Sequence, residues 1–206
     1  MIRIVLFDVD GVLANGEPFS KRLARDYEIT LDMTAPFFQG PFTACLTGNA
    51  DLKQELASYL HQWGWPHSVD AFADYWFSSE HAIDEPLVNL VQRLRQQGTR
   101  CYLATNQERY RTEYILTHMG FAAKFDGMFS SAHVGHTKHT TAFFEHVLRE
   151  LGDVQPQEVL FWDDTPAIVA TARQAGLHAE VYHNFADFEE KMLLWFHRTD
   201  PGDALT

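Results

Sequence analysis

Cysteine is scarce in this chain. Only Cys45 and Cys101 occur, far apart and outside any metal-ligand spacing, so the sequence encodes neither a disulfide framework nor a cysteine metal centre, and two buried, reduced thiols are expected. Basic residues are also in short supply: 16 Lys and Arg stand against 28 Asp and Glu, a formal net charge of −12. A surface that grips a nucleic-acid backbone needs clustered Lys and Arg, so no nucleic-acid partner is expected, and an acidic chain that handles anions is expected to recruit a cation. No apolar run approaches the length of a membrane span. The opening run Met1 to Phe7 is too short for the apolar segment of a signal peptide and is cut off by Asp8. The expectation is a soluble, cytoplasmic protein with no membrane partner. Internal repeats and low-complexity segments are missing too.

What is present is material for a core. Hydrophobic residues make up 46% of the 206, and five tryptophans and sixteen phenylalanines need a dry interior, so one sizeable core or a core with a small appended domain is expected. Beyond about residue 86, short apolar runs alternate with amphipathic ones, the pattern of βα units around a parallel sheet. After the first strand, which runs from Ile4 and ends at about Asp8, strands are predicted at Arg100 to Thr105, Phe125 to Ser130, Glu158 to Asp163 and Ala179 to His183. Helices are predicted at "PLVNLVQRLRQQG", with Leu87, Leu90, Val91 and Leu94 on one face and Gly98 closing it, and at Arg109 to Met119, Thr140 to Leu151 and Ala167 to Ala175.

Residues from about Asn15 to Asp84 break this rhythm. They lack buried-strand runs and carry helical patterns at Phe19 to Tyr27, Leu52 to Trp63 and Val69 to Ser79. "PFFQGPF" at Pro36 to Phe42 and "WGWP" at Trp63 to Pro66 read as loops. The aromatic residues of this stretch, Phe37, Phe38, Phe42, Trp63, Trp65, Trp76 and Phe77, are expected to form its own small core. The predicted organisation is therefore an α/β core from 1–14 and 85–206, a Rossmann-like doubly wound parallel sheet, with a helical domain inserted at 15–84. The tail "RTDPGDALT" is expected to fray.

Polar residues of distinct chemistry follow each core strand. Asp8 and Asp10 come after the first, Thr105 and Asn106 after the second, Lys138 in the loop and helix start after the third, and Asp163 with Asp164 after the fourth. In an open parallel sheet the functional crevice lies outside the carboxyl ends of the strands, so these groups can meet although they are distant in sequence. Several carboxylates share one site at neutral pH if a divalent cation compensates them, and oxygen ligands of this kind suit Mg²⁺.

"DVDGVL", the "ATN" of the second strand end, a lysine before a helix and "WDDTPAIVATARQAG", in this order, resemble the four signature motifs of the haloacid dehalogenase superfamily of phosphohydrolases. The resemblance runs from Met1 to about Gly176, and the insertion falls where that superfamily carries a small helical cap. It implies that Asp8 is the nucleophile that forms an aspartyl-phosphate and that Asp10 is the acid and base. It further implies that Thr105, Asn106 and Lys138 bind the phosphoryl group, Thr105 through its hydroxyl and Lys138 through its charge. Mg²⁺ would be held by Asp8, Asp163, Asp164 and the backbone carbonyl of Asp10. The implied activity is a Mg²⁺-dependent phosphatase acting on a small phosphomonoester, with a phosphomutase or a non-catalytic phosphate- or partner-binding module as the alternatives. His139 stands where that family very commonly has proline. His133, His136 and His139 are expected at the rim of the site, and not as a metal centre.

Overall fold

The computed structural model describes residues 1–197; the tail expected to fray lies outside them. The chain opens with β1 (Ile4–Phe7), followed by five helices: α1 (Phe19–Tyr27), α2 (Leu31–Phe38), α3 (Phe42–Leu46), α4 (Leu52–Trp63) and α5 (Val69–Ser79). Next come α6 (Glu85–Gln96), β2 (Arg100–Thr105), α7 (Arg109–Thr117), α8 (Phe121–Lys124), β3 (Gly127–Ser130) and α9 (Ser131–Val134). α10 (Thr141–Leu151), β4 (Val159–Asp163), α11 (Pro166–Gln174), β5 (His178–Val181) and α12 (Phe185–His197) complete it.

The five strands form one sheet in the order β3-β2-β1-β4-β5, with every neighbouring pair parallel. β1 lies at its centre, and all four of its residues are buried. A strand covered on both faces must be apolar throughout, which is why "IVLF" shows no alternation. Its side chains nevertheless leave alternate faces. Val5 and Phe7 enter a cluster with residues of α6, α7, α8 and α12, while Ile4 and Leu6 enter a second one with residues of α10 and α11. The chain is thus an α/β protein with helices on both faces of a parallel sheet.

Local chemistry sets the helix ends that matter. Asp84 caps α6 by accepting from the Leu87 N–H at 3.0 Å, and Pro86 occupies the first turn, where its missing N–H costs nothing. Leu87, Val88, Val91 and Leu94 face the sheet, and Gly98 at φ +93° turns the chain toward β2.

Helices α1 to α5 bury a third cluster of their own, including Phe37, Trp63, Trp65, Phe72, Trp76 and Phe77, with Phe38 and Phe42 packed against it. The loop predicted from Pro36 to Phe42 is in part a helix: α2 runs through Pro36 to Phe38, and α3 starts at Phe42. Burial of Phe37 in the aromatic cluster outweighs the hydrogen bond that Pro36 cannot donate. α12 is a further helix that the periodicity did not reveal.

Two connectors join the inserted helices to the sheet. They run side by side, with a bridge between Ala14 and Ile83 and hydrogen bonds from Asn15 N to Ala82 O (2.8 Å) and from Asp84 N to Leu13 O (2.9 Å). Among the described residues no helix is long and apolar enough to cross a membrane.

Candidate active site

At the carboxyl end of β1 the backbone turns at once. Asp8 still donates its N–H to Trp162 O, but Leu13 and Ala14 both donate to Val9 O, closing a tight loop over Val9 to Ala14. Strand geometry ends at Phe7, so the turn and not the pleat sets where Asp10 lies relative to Asp8. Gly11 makes the loop possible. Its φ is +80°, and a Cβ at this position would collide with the Asp164 carboxylate arriving from the end of β4.

The predicted residues assemble around Asp8. Lys138, in a turn before α10, lies 2.7 Å from Asp8 Oδ1 and 2.6 Å from Asp163 Oδ2, and only 1% of its side chain is exposed. Asp8 Oδ1 also accepts from the Val9 N–H at 2.8 Å, so Oδ2 is the oxygen without a protein donor among these bonds. Asp163 is fully buried and spends its second oxygen on the Thr165 N–H (2.8 Å). Asn106 fixes the lysine's own backbone by accepting from the Lys138 N–H at 2.8 Å. Asp8, Asp10, Thr105, Asn106, Lys138, His139 and Asp164 line one open pocket. His133, His136 and His139 are all exposed.

The electrostatics are those of an under-neutralised site. Burial pushes the Asp8 carboxyl up to about 7; Asp163 and Asp10 add to the rise, and Lys138 opposes it. Burial also raises Asp164, with Asp163 contributing. Burial alone would lower Lys138, yet Asp8 and Asp163 more than offset it and hold the ammonium above the ordinary lysine value. Asp8, Asp163 and Asp164 each present a carboxylate oxygen, all within 4.8 Å of one another. One ammonium against this set leaves net negative charge where two of the three carboxylates are buried, and a hard divalent cation with oxygen preference, such as Mg²⁺, fits it.

Three participants were not foreseen. Gln107 donates to Asp10 Oδ2 at 2.5 Å and to the Thr105 hydroxyl oxygen at 3.4 Å. Arg111, on the first turn of α7, reaches Asp10 Oδ1 at 3.2 Å and donates to Phe77 O at 2.8 Å. Glu80, just after α5, lies 3.7 Å from Arg111, and burial, with Asp10 adding and Arg111 opposing, pushes its carboxyl up to about 7. One of these left a trace in the sequence. Arg111 precedes Ile115 by four residues, which puts a guanidinium on the buried face of a helix, and such a group needs an anionic partner.

Comparison with known proteins agrees with this geometry. A family model of hydrolases, the haloacid dehalogenase-like hydrolase, matches residues 2–176. The chloroplastic protein SUPPRESSOR OF QUENCHING 1 of Arabidopsis thaliana is 27% identical over 184 residues, which cover 85% of this chain and 17% of that protein. The sesquiterpene phosphatase astK of Aspergillus oryzae is 31% identical over 94 residues, 46% of this chain and 47% of its own. The chain thus spans less than a fifth of the plant relative and under half of the fungal one. A HAD family enzyme from Bacteroides thetaiotaomicron, solved with magnesium and inorganic phosphate, superposes with a TM-score of 0.78 at 18% identity, covering 91% of this chain and 99% of that one. At that identity the likeness is one of fold.

Proposed function

The chain belongs to the haloacid dehalogenase-like hydrolases, and we propose that it is a Mg²⁺-dependent phosphatase that hydrolyses a small phosphorylated metabolite through an aspartyl-phosphate on Asp8. The observation that carries this reading is a buried carboxylate, paired with Lys138 and flanked by Asp163 and Asp164, facing a second acid that two side chains hold in place. Magnesium and phosphate bound to the Bacteroides enzyme and the phosphatase name of the Aspergillus relative support it.

In the proposed reaction Asp8 Oδ2 attacks phosphorus, and the alcohol leaves with a proton from Asp10. Asp10, now a carboxylate, takes a proton from water as that water attacks the phosphoaspartate, which returns Asp8 and releases phosphate. Lys138 and the Thr105 hydroxyl stabilise the charge that spreads over the phosphoryl oxygens. Asp8, Asp164 and the backbone carbonyl of Asp10, with Asp163, would hold Mg²⁺, which when bound neutralises the clustered carboxylates and draws charge from a phosphoryl oxygen. Asp163 contributes first by orienting Lys138. A halide leaves carbon without needing a proton, so a held acid beside the nucleophile supports a phosphate ester over a carbon–halogen bond as the substrate.

Residues 15–84 form the cap in this reading, closing over the crevice and excluding all water but the reacting one. The test is hydrolysis of a panel of sugar phosphates, nucleotides, prenyl-type alcohol phosphates and an aryl phosphate, with Mg²⁺ or EDTA, by the wild type and Asp8→Asn. Turnover lost in EDTA and in the variant is expected. Phosphate release by Asp8→Asn at the wild-type rate would overturn the proposal.

A further inference from the structure

We infer that Arg111 is the positioning residue for Asp10, and that it ties the alignment of this acid to the seating of the inserted helices on the sheet. The inference rests on the reading of Asp10 as the acid of the reaction. It starts from an imbalance: the Asp10 side chain is 47% exposed, whereas that of Arg111 is 2% exposed. A carboxylate so open to solvent would sample several rotamers unless something buried fixed it. Two groups do so, one on each oxygen. Gln107 donates to Oδ2, and the Arg111 guanidinium donates to Oδ1 at 3.2 Å.

The rest of the guanidinium faces the insertion. Its other terminal nitrogen donates to Phe77 O at 2.8 Å, one of the last carbonyls of α5, which have no partner within their own helix. The rings of Phe77 and Tyr114 lie 5.6 and 5.5 Å from its central carbon, and Glu80 lies 3.7 Å from the nitrogen that serves Asp10. The Arg111 Nε is buried and has no hydrogen-bond partner. The fork is used as a ruler between α5 and Asp10. Only a planar guanidinium spans both: an ammonium at the end of a lysine can meet Phe77 O or Asp10, and the other is then lost. Loss of the α5 contact therefore releases the acid as well, so the proton donor is aligned when the inserted helices are seated.

The experiment uses leaving groups of different need. An alkoxide must be protonated as it departs, whereas 4-nitrophenolate departs without help. The constant kcat/KM reports phosphoryl transfer to Asp8, the step in which the acid donates. It is measured with Mg²⁺ for a primary alkyl phosphate and for 4-nitrophenyl phosphate, using the wild type, Arg111→Lys, Arg111→Gln and Asp10→Asn, with circular dichroism as the check on folding. The expected result is that both Arg111 variants lose about 100-fold on the alkyl ester and only a few-fold on the nitrophenyl ester, following the pattern of Asp10→Asn. Equal losses on the two esters would reduce Arg111 to a structural residue and overturn the inference, as would failure of both Arg111 variants to fold. If the wild type hydrolyses neither ester, or Asp10→Asn leaves the ratio of the two unchanged, the underlying reading of the site fails and takes the inference with it.

Discussion

Lys138 places one ammonium 2.7 Å from Asp8 and 2.6 Å from Asp163, with 1% of its side chain exposed, so three charges share a largely buried space. Removing one partner of such a set leaves buried charge uncompensated, at a cost of about 3–5 kcal/mol. Lys138→Met should therefore unfold at lower urea than the wild type as well as lose activity. The loss should depend on pH. Burial already pushes the Asp8 carboxyl from its ordinary value of 3.8 up to about 7, and Lys138 opposes the rise, so without it the carboxyl moves further up. A raised carboxyl favours the fold fully below its unfolded value and loses that favour as pH rises through the folded one. Urea midpoints in EDTA should thus differ more between variant and wild type at pH 8 than at pH 5; equal gaps would refute the argument. Asp8, Thr105 and Asp164 were legible in the sequence because each closes or follows an apolar run, and Lys138 because it precedes the helix after the third strand; a parallel sheet brings strand ends together whatever their separation along the chain. Gln107 was not, since its meaning lies in a contact with Asp10 across 97 positions, and Arg111 showed only its place on a buried helical face and not its partner 101 positions away.

Elements were most legible where burial and periodicity agree. β2 spans Arg100–Thr105, and α1, α4 and α5 have the predicted ends; for α4 and α5 capping groups sit at the edges of the apolar faces, where Asp51 accepts from the Gln54 N–H and Ser68 from the Ala71 N–H. α2 shows where local signals mislead. Pro36 is the sixth residue of that helix, too far in for its missing N–H to be one that the helix leaves unpaired, and its ring crowds the Asp32 carbonyl. The helix persists because Phe37 is fully buried among aromatic neighbours, including Tyr59 at 5.2 Å and Trp63 at 5.9 Å. Pro36 itself is exposed and contributes little packing. Pro36→Ala should then restore a backbone hydrogen bond at the cost of a more flexible unfolded chain, for a net gain of about 1–2 kcal/mol. The check is the midpoint of urea unfolding, with hydrolysis measured alongside and expected to be unchanged. A lower midpoint would mean that the proline ring packs in a way that outweighs its effect on the helix.

At the scale of the molecule, the inserted helices and the sheet have hydrophobic clusters of their own that touch through Tyr114, and they also meet through paired connectors and a buried polar junction. Glu80 lies in that junction, its oxygens accepting from the Phe19 N–H (3.4 Å) and the Trp76 indole N–H (3.2 Å). Its carboxyl is pushed from about 4.5 up to about 7, foremost by burial. The direction of the stability effect follows. The fold binds this proton more tightly than the unfolded chain does, so the favourable contribution is complete below pH 4.5 and is lost as pH rises through 7. A rise of this size corresponds to roughly 3 kcal/mol, less what the partly exposed side chain recovers from solvent. Glu80→Gln is neutral at every pH and escapes the loss. It should match the wild type near pH 4.5 and exceed it by on the order of 1–3 kcal/mol at pH 8, read from thermal or urea unfolding at the two values. An advantage of the same size at both would show that charge at this junction is not what the substitution relieves. The junction keeps a carboxylate that opposes its own stability at neutral pH, next to the arginine that holds Asp10. A neutral side chain there would seat the helices more firmly on the sheet, so at neutral pH the buried acid weakens that seating.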